Sequence, residues 1–369
     1  MRILHVAKKY PEALGGDSTI VYNLQKQQVI CGHDVFILVS NCADIPNKPN
    51  IFKFGFEDSA KNLDKITFKR LLSLVVLFFY SFYILRKIRP TIVHSHSADM
   101  GFVVSIACRF YKLPIVDAVH GLTFSDPQHS IFKRYSEIFF LKCSNFRAIM
   151  SEDGYGKEMF SKYGLKNFVY IPNGVDLLDF SRKHTTPNKK IRILFIGRLE
   201  RQKGLNYLID AIRILIKKST DFEVRLVGDG SELTYLKLLV DKYALGSFVK
   251  FNGKVSHKQT LDYYYTSDIV VLPSIWEGFP LTVLEAWGAR LPVVVTNVGG
   301  ISKICNNNEN ALIIPPRSPK EITNALFALI NDSGLRKRLG ENGRILVEEK
   351  YGWEKIAKKV EKIYEEVIK

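Results

Sequence analysis

Short apolar runs recur along the chain, each followed by a polar turn and then a longer segment with apolar positions every three or four residues. In the first half the runs cover residues 2–7, 35–39, 91–94, 115–119, 146–150 and 168–171. A helical period fills residues 19–30 and stops at Gly32 and His33. The second half repeats the pattern, with runs at 191–196, 223–227, 249–251, 269–272, 292–295 and 311–314 and an amphipathic helix at 205–218. Apolar runs bounded by turns read as buried strands, and the three-to-four spacing reads as helices. Strands alternating with helices predict parallel βαβ units. The chain is therefore expected to be α/β, with two doubly wound, Rossmann-like domains at 1–180 and 191–352. Residues 181–190 are polar, include Pro187 and lack an apolar period, so they read as a linker. Residues 353–369 predict a charged amphipathic helix, expected to pack back on the first domain. Two such domains facing each other make a cleft, and ligands of such sheets bind at the carboxyl ends of the strands.

The chain has 369 residues, which at about 150 per domain also gives two domains. Its five cysteines are odd in number and include no C-x2-C pair, so a disulfide framework or structural zinc site is not expected. The N-terminus lacks a cleavage-like signal sequence, and a cytoplasmic setting is expected. The longest apolar stretch, residues 71–85, is shorter than the ~20 residues of a membrane-spanning helix. Lys69, Arg70, Arg86 and Lys87 bracket it. Two readings fit it, a buried core helix or a helix lying in a membrane interface, since basic flanks around aromatic and aliphatic residues suit the second. The formal net charge of +16 is spread over both halves. It favours an anionic ligand or an acidic membrane surface. No zinc-finger, RRM-like or basic-zipper pattern accompanies it, so no nucleic-acid partner is expected.

Several residues fall where chemistry is expected. Residues 197–204, Gly-Arg-Leu-Glu-Arg-Gln-Lys-Gly, follow a strand and open a helix, so backbone amides and the helix's positive end face an anion. Arg198 can grip a phosphate through two nitrogens and Lys203 adds a point charge; an exposed basic turn is the plainer alternative. It is not a Walker loop. Gly228-Asp229-Gly230 resembles the start of a dinucleotide fingerprint, but Leu233 stands at the third glycine position. Glu277 lies in the loop after strand 269–272, and Glu285 falls about two turns into the following helix. Each carboxylate could bind sugar hydroxyls, and backbone amides in the stretch Gly278, Phe279, Pro280 and Leu281 could cap a phosphate. His120, with Gly121, ends a strand and is suited to contact a ligand. His94 and His96 are two apart and so share a face, but no third metal ligand is evident. D-x-D, a carboxylate pair that holds magnesium on a diphosphate, occurs nowhere. Hydrolase and zinc-protease signatures are absent as well.

Together these pieces resemble glycosyltransferase family four, the retaining nucleotide-sugar transferases of GT-B fold. The residues that carry the resemblance are the 197–204 loop, the Gly-Asp-Gly turn and the Glu-x7-Glu of 277–285. Gly15-Gly16, Gly32-His33, His94 with His96, His120-Gly121, Asn173-Gly174 and Asn252-Gly253 support it in the right order, over almost the whole chain. The resemblance implies that Arg198 and Lys203 bind the donor diphosphate, Glu285 the ribose and Glu277 a sugar hydroxyl. Amides around Phe279 to Thr282 would assist the phosphates, and Gly253 and Lys254 would flank the base. Gly15 and Gly16 would approach the phosphate from the first domain, and His120 would contact the transferring sugar. The resemblance implies no metal and no cofactor beyond the nucleotide-sugar donor. The first loop reads Glu-Ala-Leu-Gly-Gly where glucan synthases carry Lys-x-Gly-Gly, so a glucan acceptor is not expected. A lipid-linked or cell-surface glycan precursor is the expected acceptor, with the 69–87 region on an anionic membrane surface at the inner face of the cell membrane. A GT-B nucleotide-sugar epimerase and a non-catalytic nucleotide- or glycan-binding protein remain the alternatives.

Overall fold

A computed structural model describes residues 1–10, 16–40, 45, 47–56, 68–119, 131–144, 147–150, 161–165, 168–177 and 190–369. Gly15, His120, Gly121 and linker residues 181–189 lie outside the described residues. The chain divides into two compact units. One comprises Met1–Asn173 together with Trp353–Lys369, and the other Gly174–Gly352. The division thus falls before residue 180, because the Val175 amide donates to the Tyr351 carbonyl at 2.8 Å and holds residues 174–177 to the second unit.

In the first unit, strands β1 (Arg2–Ala7), β2 (Asp34–Ser40), β3 (Ile51–Phe54), β4 (Ile92–Ser95), β5 (Ile115–Val119), β6 (Arg147–Met150) and β7 (Phe168–Tyr170) form one parallel sheet in the order β3-β2-β1-β4-β5-β6-β7. Helices α1 (Gly16–Ile30), α2 (Phe68–Ile88), α3 (Ala98–Phe110) and α4 (Ile131–Ser144) connect them. Alternate side chains point to opposite faces of a strand. Leu4, Val6, Leu38 and Val93 therefore pack with α2 and α3 residues such as Leu77, Ile84 and Val104. Ala7, Val35, Ile37 and Val39 pack on the other face with Val21 of α1. Helix α2 is longer than its apolar stretch suggests. It has 21 residues, because Lys69, Arg70, Arg86 and Lys87 are good helix formers and continue it. By length and composition it could cross a bilayer.

The second unit has its own parallel sheet. Strands β8 (Ile191–Ile196), β9 (Phe222–Val227), β10 (Val249–Gly253), β11 (Ile269–Leu272), β12 (Val293–Thr296) and β13 (Leu312–Ile314) run in the order β10-β9-β8-β11-β12-β13. Helices α5 (Leu205–Leu215), α6 (Leu233–Lys242), α7 (His257–Tyr265), α8 (Leu281–Gly288), α9 (Ile301–Ile304), α10 (Pro319–Asn331) and α11 (Ser333–Lys350) follow the strands. Apart from Arg192 near the start of β8, the central strands β8 and β11 are apolar, as a sheet covered on both faces requires: Ile193, Leu194, Phe195 and Val270 are fully buried. The strand order reverses between β8 and β11. Such a reversal opens a crevice at the carboxyl ends of the strands. The last helix, α12 (Trp353–Ile368), belongs to the first unit. It buries Trp353, Ile356, Val360 and Tyr364 there and leaves its charged side chains outward.

Candidate active site

The reversal in the second sheet gathers the predicted residues. Just after β8, Gly197 has φ of 150° and its carbonyl lies against Gly228, just after β9; a Cβ on Gly228 would come within 1.8 Å of that oxygen. The two loops then interlock. The Leu199 amide donates to the Asp229 carbonyl at 2.9 Å, and the Glu232 amide donates to the Leu199 carbonyl at 2.9 Å. This explains the Gly-Asp-Gly turn without a dinucleotide: its glycines let two strand-end loops touch. Residues Arg201–Lys203 form one 3-10 turn that ends on Gly204 in the left-handed conformation. A side chain at Gly204 would strike the Pro273 carbonyl at 2.2 Å. The Gln202 carbonyl accepts from the Ile275 amide at 2.7 Å. Glycines at both ends and a backbone clamp in the middle thus hold the loop in one shape.

That shape delivers Lys203 to Glu277. The Lys203 Nζ donates to Glu277 Oε1 at 2.6 Å, and the Ser274 hydroxyl donates to the same oxygen at 2.7 Å. Ser274 is in turn held through its carbonyl, which accepts from the Thr296 hydroxyl at 2.6 Å. Glu277 is buried, 6% exposed, at the carboxyl edge of the sheet. A carboxylate at such depth persists because it is paired and hydrogen-bonded. Pairs of this kind add more to geometry than to stability, since desolvation offsets much of the attraction. Arg198 stands exposed on the same loop.

Helix α8 starts at Leu281, later than the sequence spacing suggests, so Glu285 stands one turn into it. The Tyr264 hydroxyl donates to Glu285 Oε2 at 2.7 Å. Burial, followed by the charge and hydrogen bond of Glu285, pushes the Tyr264 hydroxyl well above its ordinary pKa, so it stays a donor, and Thr282 also hydrogen-bonds it. The Gly278 carbonyl accepts from Gly300 at 3.0 Å, which ties the start of α8 to the loop after β12. Phe279 packs against Tyr351, ring centroids 6.2 Å apart. At the end of β10, Gly253 takes a φ of 69° and its carbonyl accepts from the Gly228 amide at 2.8 Å, followed by the exposed Lys254.

The structure therefore assembles Lys203, Glu277, Glu285, Gly278 to Thr282 and Gly253 on the strand ends of one sheet. Cations, a helix end and two carboxylates in that setting suit a ligand with an anionic part and a hydroxyl-rich part. Sequence reasoning missed Ser274 and Tyr264. Ser274 directly follows the Leu272-Pro273 strand end, a signal that was legible. Tyr264 sits among three consecutive tyrosines of α7, and nothing local distinguishes it. Of the residues predicted in the first unit, Gly16 begins α1.

The first unit supplies a partner to His94 and His96 that the sequence did not reveal. Register pairs His5 of β1 with His94 of β4. One ring nitrogen from each of His5, His94 and His96 lies within 4.8 Å of the other two. These residues could hold a metal ion by ligand type; in the structure they form a hydrogen-bonded network. His5 Nε2 donates to Gln28 Oε1 at 2.7 Å, which leaves Nδ1 to accept from His96 Nε2 at 2.8 Å. The Tyr364 hydroxyl meets His94 Nδ1 at 2.5 Å and accepts from Gln28 Nε2 at 3.2 Å. Burial lowers the His5 pKa to about 4, with the Gln28 bond opposing, so the ring is neutral at pH 7. Beside His94 and His96 lies a cavity of about 30 Å³, lined also by Asn173 and by Ile356 and Val360 of α12. The network fastens α12 to the sheet. Among the described cysteines all are free thiols.

Comparison with known proteins gives this arrangement its family. The profile of Glycosyltransferase Family 4 matches residues 14–178, and that of glycosyl transferases group 1 matches residues 178–346. An uncharacterized glycosyltransferase of Methanocaldococcus jannaschii is 30% identical over 285 residues, 75% of each chain. A UDP-Gal:alpha-D-GlcNAc-diphosphoundecaprenol alpha-1,3-galactosyltransferase of Escherichia coli is 30% identical, over 68% of this chain and 69% of its own. An Anabaena protein solved with UDP-glucose superposes with a TM-score of 0.78 at 17% identity, over 99% of this chain and 100% of its own, and shares the GT-B fold. The chain belongs to the group 1 glycosyltransferases of family four.

Proposed function

We propose that the protein is a retaining glycosyltransferase that moves a sugar from a nucleotide-diphosphate sugar to a hydroxyl of a lipid-linked or cell-surface glycan precursor, without a metal. The observation that carries this reading is the Lys203–Glu277 pair, held at the carboxyl edge of the second sheet by Gly204 and Ser274. Breaking the bond from sugar to diphosphate builds negative charge on the leaving oxygen and positive charge on the anomeric carbon. Lys203, Arg198 and the amides at the start of α8 are placed to meet the first. Removing one such preorganised donor costs about 10²–10³ in rate. Glu285, oriented by Tyr264, serves the ribose, and Glu277 orients a sugar hydroxyl. Gly253 and Lys254 flank the base. His120, Gly15 and Gly16 take the roles that the family resemblance assigns them.

Retention follows from attack on the face that the diphosphate leaves, with a leaving phosphate oxygen accepting the acceptor's proton. The absence of D-x-D from the sequence supports metal independence. The Escherichia coli relative, whose name specifies a diphosphoundecaprenol-linked acceptor, supports the lipid-linked acceptor.

The test is a thermal-shift panel of UDP-, GDP- and ADP-sugars, each with EDTA and with Mg²⁺. One nucleotide family should raise the melting temperature equally in both conditions, by about 5–10 °C at a hundred times its dissociation constant. Arg198→Ala should weaken the shift. Anomeric assignment of the product by NMR then tests retention: an inverted product rejects that part of the reading. A shift that requires Mg²⁺ rejects metal independence.

A further inference from the structure

Helix α2 is apolar on both of its faces. An amphipathic helix turns one apolar stripe to the core and a polar face to water; α2 buries Leu77, Ile84, Leu85 and Ile88 together with Arg70, Ser73 and Ser81. Its exposed side chains between Leu71 and Tyr83 are Leu71, Val75, Val76, Phe79 and Tyr83, with no polar group among them except the tyrosine hydroxyl. With Phe68 these positions recur at three- and four-residue steps and form one stripe. Phe68 is 79% exposed and Phe79 69%.

The rotation of α2 is locked from beneath. The Arg70 guanidinium donates to Ser40 Oγ at 3.1 Å and to Asp99 Oδ2 at 3.0 Å. Ser73 accepts from the Phe56 amide at 3.4 Å, and Gly55 lies so close to it that a Cβ there would come within 2.7 Å of its hydroxyl. Turning the helix about its axis would break these contacts and leave Asp99 with Lys8 but without Arg70. Arg70 and Ser73 are held by protein groups beneath α2, so the helix is not surrounded by lipid.

The stripe continues onto its neighbours. Phe82 meets Phe110 of α3 at 5.7 Å between ring centroids, and Phe102 of α3 meets Phe139 of α4 at 6.2 Å. Ile106 and Phe110 on α3, and Tyr135 and Phe139 on α4, are exposed as well. A soluble monomer rarely shows contiguous apolar surface on this scale without a partner for it.

Charge selects the partner. From Phe68 to Lys112 every exposed charged side chain is basic: Lys69, Arg86, Lys87, Arg89, Arg109 and Lys112. The Lys87 ammonium lies 5.7 Å from the ring of exposed Tyr83, at the margin of the stripe. Aromatic and aliphatic residues in the centre, cations around them and no exposed acid among the described side chains from Phe68 to Lys112 match an anionic lipid surface, with the rings at headgroup depth and the cations on the phosphates.

We infer that the α2–α3–α4 face docks flat on an anionic bilayer. The inference deepens the proposed lipid-linked acceptor and rests on that reading for its purpose. Arg70, through Asp99 and Lys8 (3.2 Å from Asp99), connects the start of α2 to the carboxyl edge of the first sheet. Docking on this face brings that edge beside the membrane, where a lipid-carried hydroxyl is presented.

The test is vesicle flotation of the full chain, with phosphatidylcholine alone and with phosphatidylcholine containing phosphatidylglycerol. The protein should float with the anionic vesicles and lose binding in high salt. A Val75→Glu/Phe79→Glu variant and a Lys69→Glu/Arg86→Glu/Lys87→Glu variant should each bind far less, the second by on the order of a hundredfold. Both variants should keep the wild-type melting curve and nucleotide-sugar shift, which shows that fold and donor site are intact. A wild-type protein that stays in solution with every vesicle overturns docking while a nucleotide-sugar shift leaves the transferase reading standing. Flotation without any nucleotide-sugar binding would do the reverse. A wild-type dimer that Phe79→Glu converts to monomer, with no flotation in either, would assign the face to a second copy and also overturn docking.

Discussion

In the second unit, Lys203, Ser274 and Glu277 come from loops after neighbouring strands, and glycines hold those loops in place. In the first unit, His5, His94 and His96 come from neighbouring strands too, but α1 and α12 close over them. The first of these clusters is charged and keeps Lys203 and Glu285 partly accessible. In the second His5 is neutral at pH 7, and the three rings are buried. Two sheets of the same kind thus use their polar residues differently. Where the strand ends stay open, a buried ion pair can meet a ligand. Where a remote helix covers them, polar residues can only specify which helix fits.

The contrast predicts different costs for similar lesions. Lys203→Ala should lower kcat by about 10²–10³-fold, measured by initial rates with the donor that the thermal-shift panel selects, and should lower the melting temperature as well because it leaves the buried Glu277 carboxylate without its cation. Loss of melting temperature with little change in rate would make the pair structural, like the histidines. For the histidine cluster the lever is pH. His5 has a folded pKa of about 4 against 6.5 when exposed, because burial disfavours its charged form. The unfolded chain therefore takes up the proton first as pH falls. Stability is full above pH 6.5 and declines toward pH 4, by on the order of 3 kcal/mol. Denaturant melts at pH 7 and pH 4.5 should show the decline, and His5→Gln should flatten it. Tyr364→Phe removes the hydroxyl shared by His94 and Gln28 and should cost ~1–3 kcal/mol while leaving the nucleotide-sugar shift unchanged. The smallest effect belongs to Tyr264→Phe. It deprives Glu285 of one hydrogen bond and should raise the donor KM by roughly tenfold, about one charged hydrogen bond's worth.

Much of this was legible in the chain. The alternating strands and helices were readable because a doubly wound sheet imposes apolar runs on its strands. Strand β3 was not, since four residues flanked by a glycine and by prolines and asparagines carry too little pattern. The 197–204 loop and the 277–285 segment were readable because each is local: loop shape and helix start are set by residues within one turn of each other. Ser274, three residues before Glu277, was within reach of the same local reading, whereas Tyr264 acts on Glu285 from another helix and no spacing announces it. The histidine cluster is the extreme case. His5 meets His94 only through strand register, and Tyr364 reaches His94 from 270 positions away. The exposed face of α2 was half legible. Its basic flanks and apolar centre were plain, but a core helix has the same composition, and only the burial of Arg70, Ser73, Leu77 and Ile84 shows which side faces the protein.

The central claim is that donor binding belongs to the strand ends of the second sheet. Hydrogen–deuterium exchange with and without the selected nucleotide sugar tests it most directly. The account predicts new protection in residues 197–204 and 274–285, with β1, β4 and α12 unchanged. Donor-dependent protection confined to the first unit, with 197–204 and 274–285 exchanging as before, would contradict it.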